Sequence, residues 1–239
     1  MWYEQRCNGC RRKALNLKGG PAEKFGALAA FFYRRWGEPT LEPLYRRIAA
    51  EIPIEEGRLL DIGCGPGRLD RLIAAARPRL SVVGLDSSPA MLRQAERGQP
   101  LPNLEFHLGS IDGSAFREGF DFAIALLSFH HWEEPRGGLE AVYQGLKPGG
   151  RFWIYESDPD APDAELRRDH APLWGWLSVP CWLLRAASRG HGFRLAEVDT
   201  VVRHVVAQTS FWTLEAARTG STLRLALEKT SRQLSPGRA

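Results

Sequence analysis

The segment that most constrains the fold is residues 59–69, LLDIGCGPGRL. Its apolar beginning predicts a buried strand, and the glycines Gly63, Gly65 and Gly67 predict a tight turn that leads into a helix. Glycine has no Cβ, so the backbone of such a turn can lie directly against a ligand. The first N–H groups of the following helix lack partners within the helix and are available to that ligand. The segment therefore predicts an α/β protein with a nucleotide crevice at the carboxyl end of its first strand.

An acidic residue follows at the spacing that a nucleotide site requires. Residues 81–86, SVVGLD, predict a second strand that ends in Asp86, about 20 residues beyond the glycine turn. A carboxylate at this point can accept hydrogen bonds from both hydroxyls of a ribose. Because Ser87, Ser88 and Pro89 follow, Asp86 also fits the role of a helix N-cap or a turn residue. The ribose role is favoured because the turn and the acid occur together at the spacing of one βαβ unit.

Strand and helix patterns alternate downstream of the turn, which predicts parallel strands joined by right-handed crossovers. Predicted strands cover residues 58–63, 81–86, 104–108, 120–127 and 150–156, the last introduced by a turn at residues 147–150. Predicted helices cover residues 22–36, 41–51, 67–76, 89–97 and 137–146. Residues 195–206 fit a helix, with a strand as the alternative, and residues 210–218 and 222–228 predict a hairpin.

Five motifs occur in an order that resembles the class I S-adenosylmethionine-dependent methyltransferases: LLDIGCGPGRL, VVGLDSSPAML, LEFHLGSIDGSAF, FDFAIALLSFHHW and LKPGGRFWIYE. The chain is most similar to the small-molecule group that includes the ubiquinone and menaquinone biosynthesis enzymes. The resemblance covers residues 59–156 well and the rest weakly. It implies a Rossmann-like sheet of seven mostly parallel strands with an antiparallel last strand, N-terminal helices and a helical cap after strand five.

The same resemblance divides the chain into segments with different expected roles. A core that binds S-adenosylmethionine is expected over residues 58–157, with helices before it over residues 22–57. A helical lid follows over residues 158–192, and a helix and hairpin over residues 193–230 complete the sheet. Residues 1–21 are expected to be a mobile leader, and residues 231–239 a tail.

The resemblance also assigns the residues that bind S-adenosylmethionine and release S-adenosylhomocysteine. Asp61 is expected near the methionine amine, and Asp86 at the ribose. Many relatives carry Asp where this chain has Ser110, so the adenine contact there is shorter and neutral. The other expected contacts are backbone or side-chain groups of Gly63, Cys64, Gly65, Gly67, Ser87, Ile111 and Leu127.

Two histidines and several aromatic residues are the candidates for the acceptor side. His130 and His131 follow strand four, and an imidazole titrates near neutral pH, as removal of a proton requires; loop anchors or pocket walls are the alternative roles. The acceptor pocket is expected to include Tyr33, Tyr155, Trp174 and Trp176, with Glu156 beside it. Core packing is the alternative for these aromatic side chains.

Composition excludes few function classes. The net charge of +4 gives only a weak indication of an anionic partner. No apolar stretch reaches the roughly 18–20 residues of a membrane span, and the N-terminus lacks the apolar core of a signal peptide, so a cytoplasmic protein is expected. Cys7 and Cys10 form a CxxC pair, but no second pair or histidine cluster completes a metal site, and no metal is expected.

Three functions remain open on sequence grounds. The favoured one is methyl transfer to O or C of a small acceptor, aromatic or lipophilic in view of the tryptophans. An RNA methyltransferase is disfavoured, because SFHHW stands where enzymes that methylate base amino groups carry Asp/Asn-Pro-Pro-aromatic, and no strong basic stripe is present. The third is a noncatalytic protein that binds S-adenosylmethionine. A nicotinamide dehydrogenase is less favoured, because a parallel βαβ half rather than a hairpin is then expected at the C terminus.

Overall fold

The computed structural model describes residues 38–111, 119–172, 178–198, 202–211 and 213–229, and these contain one seven-stranded sheet. The strand order is β3-β2-β1-β4-β5-β7-β6. Strands β1 to β5 run parallel to one another, whereas β7 is antiparallel to both β5 and β6. The predicted fold class is thereby confirmed. The strands are β1 (Gly57–Ile62), β2 (Leu80–Asp86), β3 (Leu104–Leu108), β4 (Phe120–Leu126), β5 (Leu146–Ser157), β6 (Thr213–Thr219) and β7 (Thr222–Glu228).

Helices connect the strands, and those predicted over residues 41–51, 67–76, 89–97 and 137–146 are present with their ends shifted by a residue or two. A short 3₁₀ helix, Phe129–His131, follows β4. Two helices, α6 (Asp163–Asp169) and α7 (Cys181–His191), lie in the segment predicted as a cap after strand five. The helices are α1 (Glu38–Thr40), α2 (Glu42–Glu51), α3 (Arg68–Ala76), α4 (Pro89–Ala95), α5 (Pro135–Gly145), α6 (Asp163–Asp169), α7 (Cys181–His191), α8 (Leu195–Glu197) and α9 (Arg203–Val206).

The two faces of the sheet bury separate apolar clusters. Leu60 and Ile62 of β1 belong to one cluster. Leu59 belongs to the other, together with residues of α2 and α3 such as Ile48 and Ile73. Because side chains alternate along a strand, Asp61 shares the face of Leu59 and points to the side that α2 and α3 cover. We call this side the α3 face.

Two boundaries differ from the sequence prediction for identifiable reasons. Strand β5 begins at Leu146, which pairs with Phe120, while Arg151 pairs with Phe122. The segment between these two pairs, which was predicted to be a turn ahead of the strand, is instead a bulge within one continuous strand. Strand β4 ends at Leu126 because Leu127 has a φ of 52°, which lies outside the extended region.

The C-terminal segment agrees with its prediction only in part. Residues 195–206 contain the short helices α8 and α9, so the strand alternative is not observed in their described portions. The hairpin turns at the predicted place, although β6 begins at Thr213. Several predictions lie outside the described residues: the helix over residues 22–36, the pocket residues Tyr33, Trp174 and Trp176, and the pair Cys7 and Cys10.

Candidate functional site

The glycine turn lies between the carboxyl ends of β1 and β2. The N–H groups of Gly63 and Cys64 both donate to the carbonyl of Leu85, at 2.7 and 3.0 Å. Gly63, Gly65 and Gly67 all have left-handed φ values, of 79°, 56° and 75°. Glycine adopts this conformation without steric cost, which explains why the sequence places three of them here.

The three glycines differ in what surrounds the side chain that they lack. A Cβ at Gly63 would lie 2.5 Å from the Cβ of Ser128, and one at Gly67 would lie 2.4 Å from the ring of Phe106. A Cβ at Gly65 would meet no atom within 4 Å. Gly63 and Gly67 are therefore glycines because the protein packs against them. Gly65 instead presents bare backbone to open space, as a ligand lying on the turn requires.

Asp86 links the glycine turn to the end of β2. Its Oδ2 accepts a hydrogen bond from the Gly65 N–H at 2.8 Å, and its Oδ1 accepts one from the Ser88 N–H at 2.7 Å. Burial raises the pKa of Asp86, and these two backbone bonds oppose that rise. The N-cap of α4 is Ser88, not Asp86. A carboxylate has about four acceptor positions, so Asp86 can hold the turn and still accept bonds from a ligand beside Gly65.

The other predicted cofactor residues follow the neighbouring strand ends. Ser87 is exposed directly after β2, and Ser110 is exposed after β3, where the Gly109 N–H donates to the Asp86 carbonyl at 3.0 Å. Ile111 is buried in the core. Leu127 follows β4, and its N–H donates to the carbonyl of Tyr155 at 2.8 Å. Among the described residues, Leu127 is the only one other than glycine with a left-handed φ. A non-glycine residue in this conformation costs on the order of 1–3 kcal/mol of stability.

A pair of buried carboxyl groups lies beneath the turn on the α3 face. Asp61 is 2% exposed and Asp70, in the first turn of α3, is fully buried. Sequence reasoning missed Asp70, although its spacing from Leu69 and Ile73 places it on the apolar side of the helix, where a carboxylate is unexpected. Burial, followed by the neighbouring Asp70, raises the pKa of Asp61 well above its usual value. Burial raises the pKa of Asp70 to about 7.

The same environment decides what Cys64 can do. Its side chain is buried, and burial together with the nearby Asp70 and Asp61 raises the pKa of its thiol well above the ordinary value. A thiol that stays protonated is a poor nucleophile. Cys64 therefore contributes backbone to the turn and not a reactive side chain.

His130 and Glu156 form a pair at the carboxyl ends of β4 and β5. The Nδ1 of His130 lies 2.8 Å from Glu156 Oε2, and the His130 backbone N–H donates to Glu156 Oε1 at 3.2 Å. Glu156 is fully buried, whereas the His130 side chain is 13% exposed. A carboxylate accepts from Nδ1–H and so leaves Nε2 as the basic nitrogen of a neutral imidazole. His131 is exposed, and its ring centre lies 4.0 Å from that of His130.

Tyr155 and the segment after β5 join a polar network beside this pair. Tyr155 has no exposed surface, and its hydroxyl donates to Glu51 Oε2 at 2.7 Å, so its contacts in this conformation are those of the core. Arg47 of α2 donates to both oxygens of Asp169 in α6, at 3.1 and 2.9 Å. Asp169 also accepts from the backbone and hydroxyl of Ser221. This network fastens α6 to α2 and to the turn of the β6–β7 hairpin.

Two kinds of site are not found in the part of the chain that the structure describes. It contains no group of three or more His, Cys, Asp or Glu side chains arranged to hold a metal ion. It also contains no helix with both the length and the apolar character that a bilayer crossing requires.

Comparison with known proteins connects this geometry with one family. Residues 60–152 match the family described as "Methyltransferase domain". A trans-aconitate 2-methyltransferase of Methylobacterium radiotolerans is 44% identical over 149 residues, which cover 62% of this chain and 56% of that protein. A demethylmenaquinone methyltransferase of Thermus thermophilus is 32% identical over 120 residues, which cover 48% of this chain and 54% of that protein. The chain thus spans about half the length of these relatives.

Solved structures agree at the level of the fold. The plantazolicin methyltransferase in complex with a triazolic desmethyl-plantazolicin analogue and S-adenosylhomocysteine has a TM-score of 0.65 at 15% identity, over 90% of this chain and 97% of that one. The segment that matches the family, residues 60–152, contains the glycine turn, Asp86 and the His130 loop.

Proposed function

We propose that this chain, which belongs through residues 60–152 to the class I S-adenosylmethionine-dependent methyltransferases, transfers a methyl group to O or C of a small acceptor. The observation that carries the proposal is the bare backbone of Gly65 with the Asp86 carboxylate bonded to it. This pairing follows β1, which lies beside β4 at the point where the order of the strands reverses, and open α/β sheets bind ligands at such a switch point.

The residues at the carboxyl ends of β1 to β4 can be matched to the chemical groups of S-adenosylmethionine. Asp86 would accept the ribose hydroxyls, and the turn from Gly63 to Gly67, with Cys64 at its centre, would lie against the methionine portion. Asp61 would receive the ammonium group, since a buried carboxylate without a cation is stabilised by one. Ser87, Ser110 and Ile111 would border the adenine, and the backbone of Leu127 would close the site at the end of β4.

The chemistry requires few reacting side chains. S-adenosylmethionine supplies an electrophilic methyl group on a sulfonium. The protein holds the acceptor in line with it and excludes water, which in ideal intramolecular cases contributes about 7–11 kcal/mol. His130 removes the acceptor proton through Nε2, because Glu156 fixes Nδ1 as the protonated nitrogen. His131 is the weaker candidate, because its side chain is exposed, whereas the carboxylate of Glu156 holds the ring of His130.

The acceptor is proposed to be a small molecule because the named relatives are a trans-aconitate and a demethylmenaquinone methyltransferase. These two acceptors differ in polarity, so the relatives support a size class and no particular compound. The labelling experiment described next distinguishes this proposal from methyl transfer to RNA and from cofactor binding without catalysis.

Two measurements test the proposal. Calorimetry with S-adenosylhomocysteine is expected to show one site, weakened in Asp86→Ala and unchanged in Asp160→Ala, which removes an exposed acid. S-adenosylmethionine with a labelled methyl group, incubated with fractionated cell extract, is expected to label the small-molecule or lipid fraction. Absence of binding would overturn the cofactor assignment. Label confined to RNA, or no label despite tight binding, would overturn the acceptor assignment.

A further inference from the structure

The Asp61–Asp70 pair is unusual because it combines contact, burial and a lack of donors. Asp70 Oδ1 lies beside Gly84, the β2 residue that pairs with Asp61, and a hydrogen bond between the two carboxyl groups affects the pKa of both. Their side chains are 2% and 0% exposed, so water does not solvate them. No other side-chain donor in the described residues forms a hydrogen bond with Asp61 Oδ1 or with either oxygen of Asp70, and the backbone N–H of Asp70 itself only partly opposes the effect of burial on its pKa. Two carboxylates in contact cannot both be ionised at low cost, so a proton between them is the remaining way to satisfy the pair.

The surroundings give the pair little positive charge. Asp86 from the end of β2 adds a third carboxylate that disfavours ionisation of both groups. Cys64 faces the same acids with a protonated and therefore neutral thiol. Arg71 of α3 is a cation that favours ionisation of Asp70, and its guanidinium donates to the carbonyls of Ala95 and Gln99.

We infer that Asp61 and Asp70 share one proton in the ligand-free protein and release it to solvent when the ammonium group of the cofactor binds at Asp61. Asp70 is then a positioning residue, which keeps Asp61 uncharged until a cation arrives. The proton balance is simple: the protein loses one proton, the ligand ammonium keeps its own, and the pair becomes two carboxylates beside one cation. This inference rests on the proposed function.

The alternative is that Asp70 serves only the helix. A negative charge in the first turn of a helix is stabilised by the unpaired N–H groups there, and Asp70 occupies that turn of α3. A carboxylate with this role alone would be ionised with or without ligand. It would therefore release no proton on binding, so counting protons separates the two roles.

The experiment is calorimetry with S-adenosylhomocysteine from pH 6 to 8.5, in buffers with different ionisation enthalpies. The dependence of the observed heat on buffer gives the number of protons released. We expect about one proton at pH 6 and fewer at pH 8.5, with affinity rising up to about tenfold per pH unit in the lower half of this range. Below pH 8.5 the ligand ammonium itself stays mostly protonated.

The matched probe is 5′-methylthioadenosine, which keeps the nucleoside but lacks the ammonium group. It is expected to bind near Asp86 and to release no proton from the pair. Asp70→Asn keeps the size of the side chain and is expected to lower the proton count for S-adenosylhomocysteine by more than half. Two results would overturn the inference: zero proton release by the wild-type protein, or equal release with methylthioadenosine, which would assign the proton to Asp86. The wild-type comparison decides even if Asp70→Asn does not fold.

These results are distinguishable from failure of the proposed function. If S-adenosylhomocysteine binds without proton release, the cofactor assignment stands and the shared proton is wrong. If it does not bind at any pH, the proposed function itself is wrong.

Discussion

The salt bridge between Arg47 and Asp169 is expected to hold the segment after β5 against the rest of the domain. Asp169 is 1% exposed and accepts four hydrogen bonds, two from the Arg47 guanidinium and two from Ser221. Arg47→Met keeps much of the side-chain length but removes two of these donors and the nearest cation, since Arg168 Nε lies 4.0 Å from Asp169 Oδ1 and the Arg47 guanidinium lies 2.9 Å from Oδ2. A buried charge that loses its partner costs about 3–5 kcal/mol. We expect the free energy of unfolding at pH 7 to fall by this amount.

The loss should depend on pH in a specific direction. Burial raises the pKa of Asp169, but the bonds from Arg47 and Ser221 outweigh burial and leave it below the usual value. A depressed pKa contributes stability that is present above the unfolded pKa and is lost as the pH falls through the folded one. In Arg47→Met only burial and Ser221 remain, so Asp169 is protonated more readily. The stability difference between wild type and variant should therefore shrink as the pH falls from 7 toward about 4.

Denaturant unfolding followed by circular dichroism measures this difference. Arg46→Met is the matched control, because Arg46 is the adjacent residue of α2 but its side chain is 65% exposed, and exposed ion pairs contribute about 0–1 kcal/mol. Adding Asp169→Asn to Arg47→Met should recover part of the loss, because the uncompensated charge is gone. Equal losses for Arg47→Met and Arg46→Met, or no recovery in the double variant, would refute the reasoning.

Four further outcomes test the site. Asp86→Ala should weaken S-adenosylhomocysteine binding by roughly 1–3 kcal/mol, the scale of a hydrogen bond to a charged group; equal calorimetric affinities in folded proteins would contradict the ribose contact. Gly65→Ala should cost about 1–2 kcal/mol of stability, because left-handed backbone disfavours alanine. The affinity for S-adenosylhomocysteine should also fall at least tenfold, because the new methyl group enters the open space beside the turn. An unchanged affinity would mean that the ligand binds elsewhere. Glu156→Gln should shift the His130 imidazole from the Nδ1–H toward the Nε2–H tautomer, which ¹⁵N chemical shifts detect. Turnover should fall by about 100-fold or more, while the affinity for the cofactor stays unchanged. An unaltered tautomer would exclude Glu156 as the group that orients the imidazole. Asp70→Asn should gain stability relative to wild type between pH 5 and 8, because a carboxyl with a raised pKa loses stability as the pH rises through it; a constant difference in melting temperature would contradict a raised pKa.

The sheet was predictable because its signals are local. The apolar strands, the glycine turn and the lengths between them identify each βα unit without knowledge of its neighbours. The end of β4 and the start of β5 were predicted less accurately, because both depend on features that a local sequence pattern does not contain. Leu127 takes a left-handed φ without being glycine, and the bulge in β5 is fixed by its pairing with Phe120 and Phe122.

The parts of the candidate site that were predictable are those in which the residue type and its spacing indicate one particular role. The glycines and Asp86 fall into this class, and the structure brings them together by a direct hydrogen bond. Glu156 and His130 are 26 residues apart in the chain, and the contact depends on which two parallel strands are neighbours. That information is in the topology of the sheet and not in the spacing of the residues.

Asp70 shows why a residue that breaks a pattern can carry more information than one that fits it. An amphipathic helix with Leu69 and Ile73 inward would bury an apolar residue at position 70 at no electrostatic cost. The carboxyl group instead faces Asp61, and no other side chain in the described residues donates a hydrogen bond to it. A shared proton lowers this cost in the ligand-free fold, and a ligand cation that displaces the proton lowers it in the bound state, since binding stabilises the folded state by mass action. The ligand best suited to offset it is a cation, and a cofactor that carries both an ammonium and a sulfonium meets that requirement where a neutral nucleoside does not.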